Sequence, residues 1–488
     1  MRDGRQPLAR RIGRNSSWST LAYVVDSLLV FVYTLLLARA LGPAGFGLFS
    51  AAWGAALALF LLVDMGTSLL VIRETAAGTL LRSEYGIMAK TRGIAAILLA
   101  LTLGVSARAI HPDSQLPLVM GLLAIGEGLG SLTSLSISLL RGRSRFGAVL
   151  AITTAEKVII IASLLLLAAW AGKGMTPLLA SVGLVAGRVV GLIAATLISW
   201  SETARLTGTA EALGWVEPYR KARSLGSFLI VERGTAYVIP LLVVWTSGAQ
   251  AAGIFLAALK IILVPISLLS ALALGLYPIF SELTAGKRSQ VAPLFCLALK
   301  VGLVVAAAAV ILIECAPDLL VRVIFGASYA PRSGPTLSLL APMVALGAIW
   351  QLSLYLLCAS GREKQALAAT LVSSVASLIL ISILGFRYGA SGCAAGLVAG
   401  SVIGLISYWP RLRELGFDGN ATRLLAPPAI GIMAGLILCR LLVERLGFAG
   451  LLASITFVLT VVPFAALRFG YVTTREKNQL GELIRSSA

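Results

Sequence analysis

Apolar runs of roughly twenty residues, the length that carries an α-helix across a bilayer, recur along the whole chain between short clusters of Gly, Pro and charge. The pattern predicts fourteen spans: 18–38, 47–65, 93–110, 117–139, 147–170, 177–199, 224–246, 251–278, 291–313, 336–358, 366–386, 391–409, 426–443 and 449–467. The runs are continuous and lack the alternation of a membrane β-strand, so helices are expected rather than a barrel. The fold class read from this is an all-α polytopic membrane protein.

Composition agrees. Of 488 residues, 58% are hydrophobic and only 12% charged, whereas soluble domains carry about 25% charge. The formal charge is +19, but the basic residues lie between the spans, so they read as a topology signal rather than a nucleic-acid surface. With the N-terminus taken as cytoplasmic, 27 of the 40 Lys and Arg fall on the cytoplasmic side, eight on the other side and five inside spans. That asymmetry predicts both termini in the cytoplasm. The first span contains Asp26 and is followed at once by a second, so it is read as an uncleaved helix rather than a signal peptide. The five cysteines are scattered with no CxxC, which suggests neither a disulfide framework nor a zinc site. The lone His111 sits in a loop, "IHPDSQLP".

The chain repeats itself. "GLVAGRVVGLI" (183–193) and "GLVAGSVIGLI" (396–406) agree at nine of eleven positions. "GLFSAA" (47–52) returns as "GIFLAA" (253–258), 206 residues later. Spans 1–6 and 7–12 therefore read as two parallel copies, with spans 13 and 14 added. The implied organisation is a basic N-terminal arm (1–17), an N-lobe (18–199), a linker (200–223), a C-lobe (224–410), the extra helices (426–467) and a C-terminal tail (468–488). Parallel repeats of this kind form the two halves of alternating-access transporters. Glycines 183, 187 and 191, and likewise 396, 400 and 404, share one helix face and are read as close-packing stripes within a lobe. "RALGPAGFGLFSAA" (39–52) looks like a phosphate loop, but its glycine order is wrong and a helix precedes it. It is read as a tight helix–helix turn.

Ionisable groups inside spans are costly and usually face a polar cavity. Arg188, Arg233, Lys260 and Lys300 are the candidate cationic substrate pathway, because Arg and Lys bind phosphates by charge-assisted hydrogen bonds. Asp26, Glu232, Glu127 and Glu156 are the candidate gating or ion-coupling acids. Asp26 and Glu232 are equivalent under the 206-residue offset, each roughly 12 Å from its helix start. Asp64 is read as an intra-lobe ion pair or an interfacial end residue. Glu156 and Lys157 are adjacent, so at most one of them is expected to line a given cavity. There is no GxxxxGK[ST] phosphate loop, catalytic Ser/His/Asp set or metal cluster, so neither ATP hydrolysis nor another enzyme activity is expected, and no cofactor beyond a coupling H⁺ or Na⁺ gradient.

"LLLARALGPAGFGLFSAA", running on through "LLVDMGTSLLVIRETA", resembles the first hairpin and loop of bacterial polysaccharide exporters. These are the O-antigen-type oligosaccharide flippases of the multidrug/oligosaccharidyl-lipid/polysaccharide superfamily. "GIFLAALKIILVPISLLSALALGLYPIFSEL" (253–283) resembles their second-lobe hairpin. The resemblance implies a two-lobe flippase for undecaprenyl-diphosphate-linked oligosaccharide in the cytoplasmic membrane of a bacterium or archaeon. Membrane lipids, a polysaccharide polymerase and glycosyltransferases would be its partners, and nucleic acid would not. Relatives carry charge deep in the seventh helix, whereas "VIPLLVVWT" (238–246) has none, so no binding residue is carried over. The rival readings are a multidrug or cation antiporter of the same superfamily and a membrane polymerase or ligase. The second would need a large outer loop that this sequence lacks.

Overall fold

The computed structural model describes residues 8–110, 115–208, 214–286, 290–330 and 333–415, with shorter stretches up to residue 460. His111, the C-terminal tail, the first seven residues of the basic arm and much of the expected spans 13 and 14 lie outside the described residues. Among the described residues up to Arg413, twelve α-helices follow one another: α1 (Leu8–Asp64), α2 (Thr67–Ala77), α3 (Arg82–Ile110), α4 (Leu116–Gly142), α5 (Phe146–Ala171), α6 (Pro177–Ala204), α7 (Glu217–Gly286), α8 (Val291–Cys315), α9 (Pro317–Phe325), α10 (Ser333–Leu340), α11 (Pro342–Ala359) and α12 (Glu363–Arg413). No strand occurs among the described residues.

Among those residues, nine helical stretches are long and apolar enough to cross a membrane. Three of them, Val25–Asp64, Ile230–Tyr277 and Glu363–Arg413, run to 40, 48 and 51 residues, about twice what a bilayer needs. Each breaks at a glycine of positive φ: Gly42 (φ 66°), Gly248 (φ 83°) and Gly389 (φ 62°). Side chains rarely adopt that conformation, and glycine does so freely. Around Gly42 the chain folds back on itself, because the rings of Tyr33 and Trp53 meet edge-on at 6.2 Å. Six stretches of single-passage length and three of double length that break at glycine make twelve passages, the number the two six-span copies require. The stretch at 39–52 is thus a hairpin turn, with its break at Gly42.

The chain divides into two compact units, Met1–Trp245 and Thr246–Ala488. In the first, the α7 backbone closes on the preceding helices at two glycines. Gly54 lies against the Tyr237 carbonyl and Gly226 against the Met65 carbonyl, with no room for a Cβ.

The duplication is visible in the backbone. Gly42 and Gly248 are 206 residues apart and share an extended ψ, 178° and 166°. The α4–α5 turn places Ser144 at φ 57°, and the α11–α12 turn places Gly361 at φ 71°. Both turns close through the same hydrogen bonds. Arg143 N–H donates to Leu139 O, Ser144 to Arg141 O and Arg145 to Leu140 O. Ser360 donates to Leu356 O, Gly361 to Cys358 O and Arg362 to Leu357 O.

Helix packing repeats in the same register. In α6, Gly183 rests on Leu164, Gly187 on Ile160 and Gly191 on Glu156, all of α5. In α12, Gly396 rests on Ile381, Gly400 on Ser377 and Gly404 on Ser373. The glycine stripes therefore zip antiparallel hairpins inside each unit. Between the glycine that breaks the chain and the first stripe glycine, the first copy has four more residues, and they fall in the 172–176 connector.

Candidate functional site

The first unit gathers charge at two buried places. At the first, α6 delivers Arg188 between two acids. Its Nη1 donates to Glu156 Oε1 at 2.8 Å and its Nη2 to Glu127 Oε1 at 2.7 Å. Gly130 on α4 makes room for this guanidinium, because a Cβ there would sit 2.7 Å from Arg188 Cζ. Gly191 does the same for Glu156, whose Oε2 would lie 2.6 Å from an added Cβ. Lys157 Nζ donates to Glu156 Oε1 at 2.9 Å, and Trp53 Nε1 donates to Glu127 Oε1 at 2.7 Å. Both carboxylates are almost fully buried, at 5% and 3% exposure. Two negative and two positive charges meet here, so the cluster balances internally, as a group withdrawn from water requires. Tyr33 is buried beside it, within the field of Arg188 and Glu127, and its hydroxyl has no hydrogen-bond partner among the described residues.

Although adjacent on α5, Glu156 and Lys157 form a direct ion pair. The helix does separate their Cα–Cβ vectors, but the four-carbon lysine stem is long enough to bring the ammonium back to its neighbour.

The second buried place joins α1, α2, α3 and α4. Arg92 is wholly buried, ion-pairs with Asp64 and donates to Thr67 Oγ1, Ser68 Oγ, Ser134 Oγ and the Ser131 carbonyl. Asp64 therefore has an ion-pair partner within its unit, one of the two roles read from the sequence. Arg92, by contrast, falls between the expected spans 47–65 and 93–110, and the structure corrects this by placing it inside α3. The segment 73–92 is not one loop but α2, a short turn and the first turns of α3. Just beyond the spans, Lys221 Nζ donates to Glu84 Oε1 at 2.6 Å. That hydrogen bond holds the lysine above its ordinary range. Glu202 is likewise buried and meets Arg143, Arg145 and Arg205.

The remaining candidates are placed as follows. Asp26 is half-buried on the first arm of α1, and with Arg233 it sets the field at Arg141. Glu232 and Arg233 are exposed on the first arm of α7, and both contribute to the field at Tyr237. Lys260 and Lys300 belong to the second unit and are half-buried on α7 and α8. Among the described residues, Lys260 has no hydrogen-bond or ion-pair partner. The structure thus brings Glu127, Glu156 and Arg188 into one contact network. No group of His, Cys, Asp and Glu suited to a metal occurs among the described residues.

Sequence reasoning missed Trp53 and Tyr33 as members of the site. The signal for the site itself lay in the repeat. Of the two differences between "GLVAGRVVGLI" and "GLVAGSVIGLI", one is a charge, Arg188 against Ser401.

The model of a family described as "polysaccharide biosynthesis protein" matches residues 12–284. No curated protein matches the chain. Among solved structures, a lipid II flippase, MurJ, in an inward closed conformation is similar at a TM-score of 0.67 and 13% identity, over 92% of this chain and 97% of its own. An inward-facing multidrug resistance MATE family transporter of the MOP superfamily is similar at 0.64 and 14%, over 81% and 96%. A MOP superfamily transporter from Pyrococcus furiosus is similar at 0.57 and 15%, over 85% and 98%. At such identities the likeness establishes the fold: a polytopic helical bundle of the kind seen in that flippase and those transporters.

Proposed function

Because the chain belongs to the polysaccharide biosynthesis protein family, we propose that it is a flippase for undecaprenyl-diphosphate-linked oligosaccharide. In this reading it works by alternating access of an N-lobe and a C-lobe and feeds surface polysaccharide or lipopolysaccharide assembly. It lies in the bacterial cytoplasmic membrane with both termini cytoplasmic, and it acts alongside glycosyltransferases and a polymerase.

The observation that carries the reading is the distribution of charge. Glu127 and Glu156 are neutralised by Arg188 and Lys157, so that cluster offers no bare acid to a cationic drug. Lys260 sits in a span with no carboxylate beside it among the described residues. A lone ammonium in an apolar span is costly and marks a site that receives an anion, and a diphosphate fits it. Arg233 and Lys300 extend the cationic set. Asp26 and Glu232, less buried than Glu127 and Glu156, suit coupling to protons or Na⁺.

Deletion of the gene tests the proposal. Lipid-linked sugar is expected to leave the outer leaflet and surface polysaccharide to fall, with restoration by wild type but not by Lys260→Ala at equal protein level. Unchanged surface polysaccharide together with a new drug susceptibility would favour the antiporter instead.

A further inference from the structure

The sequence shows five scattered cysteines, but the fold brings two of them together. Cys315 is the last residue of α8, and Cys439 lies in the helical stretch 435–446. Both are buried in one small cluster with Ile311 and Val458. Their side chains share this cluster, and Cys315 Sγ donates to Ser454 Oγ at 3.7 Å. Both cysteines carry free thiols.

The surroundings fix the register and the depth. Gly435 packs on Ile311 one helical turn before the thiols, so the two helices run parallel there. The chain neighbours of the two cysteines, Glu314 and Arg440, pair at 3.7 Å, and the Arg440 side chain is 55% exposed. A charged pair of that exposure belongs at the water boundary, which puts the thiols one residue from it. In the orientation proposed above, this is the non-cytoplasmic end of both helices, where disulfides persist.

We propose that Cys315 and Cys439 form a dithiol–disulfide site that fastens the 435–446 helix to α8. Cys315, 6% exposed against 0% for Cys439, is the sulfur an oxidant reaches first. Its thiolate attacks a sulfur of an incoming disulfide, whose other half leaves as a thiol. Cys439 then attacks the mixed disulfide and releases the second thiol. Two S–H bonds become one S–S bond, and the incoming disulfide takes up the two electrons and two protons.

The test uses the full-length protein in its membranes, treated with oxidised glutathione, quenched with N-ethylmaleimide and digested without reductant. Mass spectrometry is expected to find one linked peptide pair, Cys315 to Cys439, two hydrogens lighter than the sum of its parts. Cys296, Cys358 and Cys393 are expected to carry maleimide. In the Cys439→Ser protein the linked pair disappears and Cys315 carries glutathione. Maleimide on both Cys315 and Cys439 of the wild type, or linkage of either to another cysteine, overturns the proposal. The readout is the chemistry of the pair and not export, so its failure leaves the flippase reading where it stands.

Discussion

The α5–α6 hairpin and the α12 hairpin are two copies of one design that hold different chemistry. Their glycine stripes meet the facing arm in the same register, Gly191 on Glu156 and Gly404 on Ser373. Where the first copy has Arg188 the second has Ser401, and where the first has Glu156 the second has Ser373. The position matching Glu127 in the second unit is Val344, which is fully buried. One copy thus closes its stripe with ion pairs and the other with hydroxyls and apolar surface. Glycine packing is enough to hold such a hairpin, and the charges of the first copy are an addition to it.

The most severe way to break the comparison is Arg188→Ala. It leaves Glu127 without its cation and Glu156 with Lys157 alone, and losing one partner of a buried pair costs about 3–5 kcal/mol. A large drop in melting temperature of the purified protein is expected. The quadruple exchange Arg188→Ser, Glu156→Ser, Lys157→Ser and Glu127→Val installs the second copy's residues, Ser374 matching Lys157, and leaves no stranded charge. It is expected to melt well above the single variant, nearer wild type, while export is lost. Normal export by the quadruple variant would make the network scaffolding alone.

Next in size are the stripes. Gly400→Leu drives a side chain into the Ser377 backbone, and Gly187→Leu drives one into the Ile160 side chain, with the nearest backbone atom at 2.9 Å. Overpacking costs about 1–3 kcal/mol, so both should lower the melting temperature, Gly400→Leu by more. Equal tolerance at both positions would show that the stripes do not hold the hairpins.

The smallest effect lies at the Lys221–Glu84 contact. Because the lysine is raised, its contribution is complete below the ordinary lysine range and is lost as pH climbs through the raised value. Lys221→Met should therefore cost stability at neutral pH, with the difference from wild type vanishing in strong alkali. The lysine is 42% exposed, and solvent screening limits the effect to about 0.5 kcal/mol. A melting difference that persists at high pH would assign the effect to packing instead.

Much of this fold was legible from local sequence. Twenty-residue apolar runs, a glycine-rich turn and an eleven-residue echo are short-range signals, and they led to the spans, the Gly42 hairpin and the duplication. The misses have one cause, which is partners that lie far apart along the chain. Arg92 looks like a loop cation until Ser131 and Ser134 come to meet it from forty residues away. Trp53 looks like one more apolar residue until α4 brings Glu127 to its ring nitrogen. Cys315 and Cys439 are separated by more than a hundred residues, and no spacing rule connects them.

The 172–176 connector carries a practical consequence. Its four surplus residues left the α5–α6 pairing in step with that of α12, so the helices take their alignment from their own faces and not from the tether between them. Such a tether tolerates added length. A short epitope or fluorophore-acceptor peptide placed between Gly174 and Thr176 should leave the hairpin intact, and it would report which side of the membrane this end of the hairpin faces in a living cell.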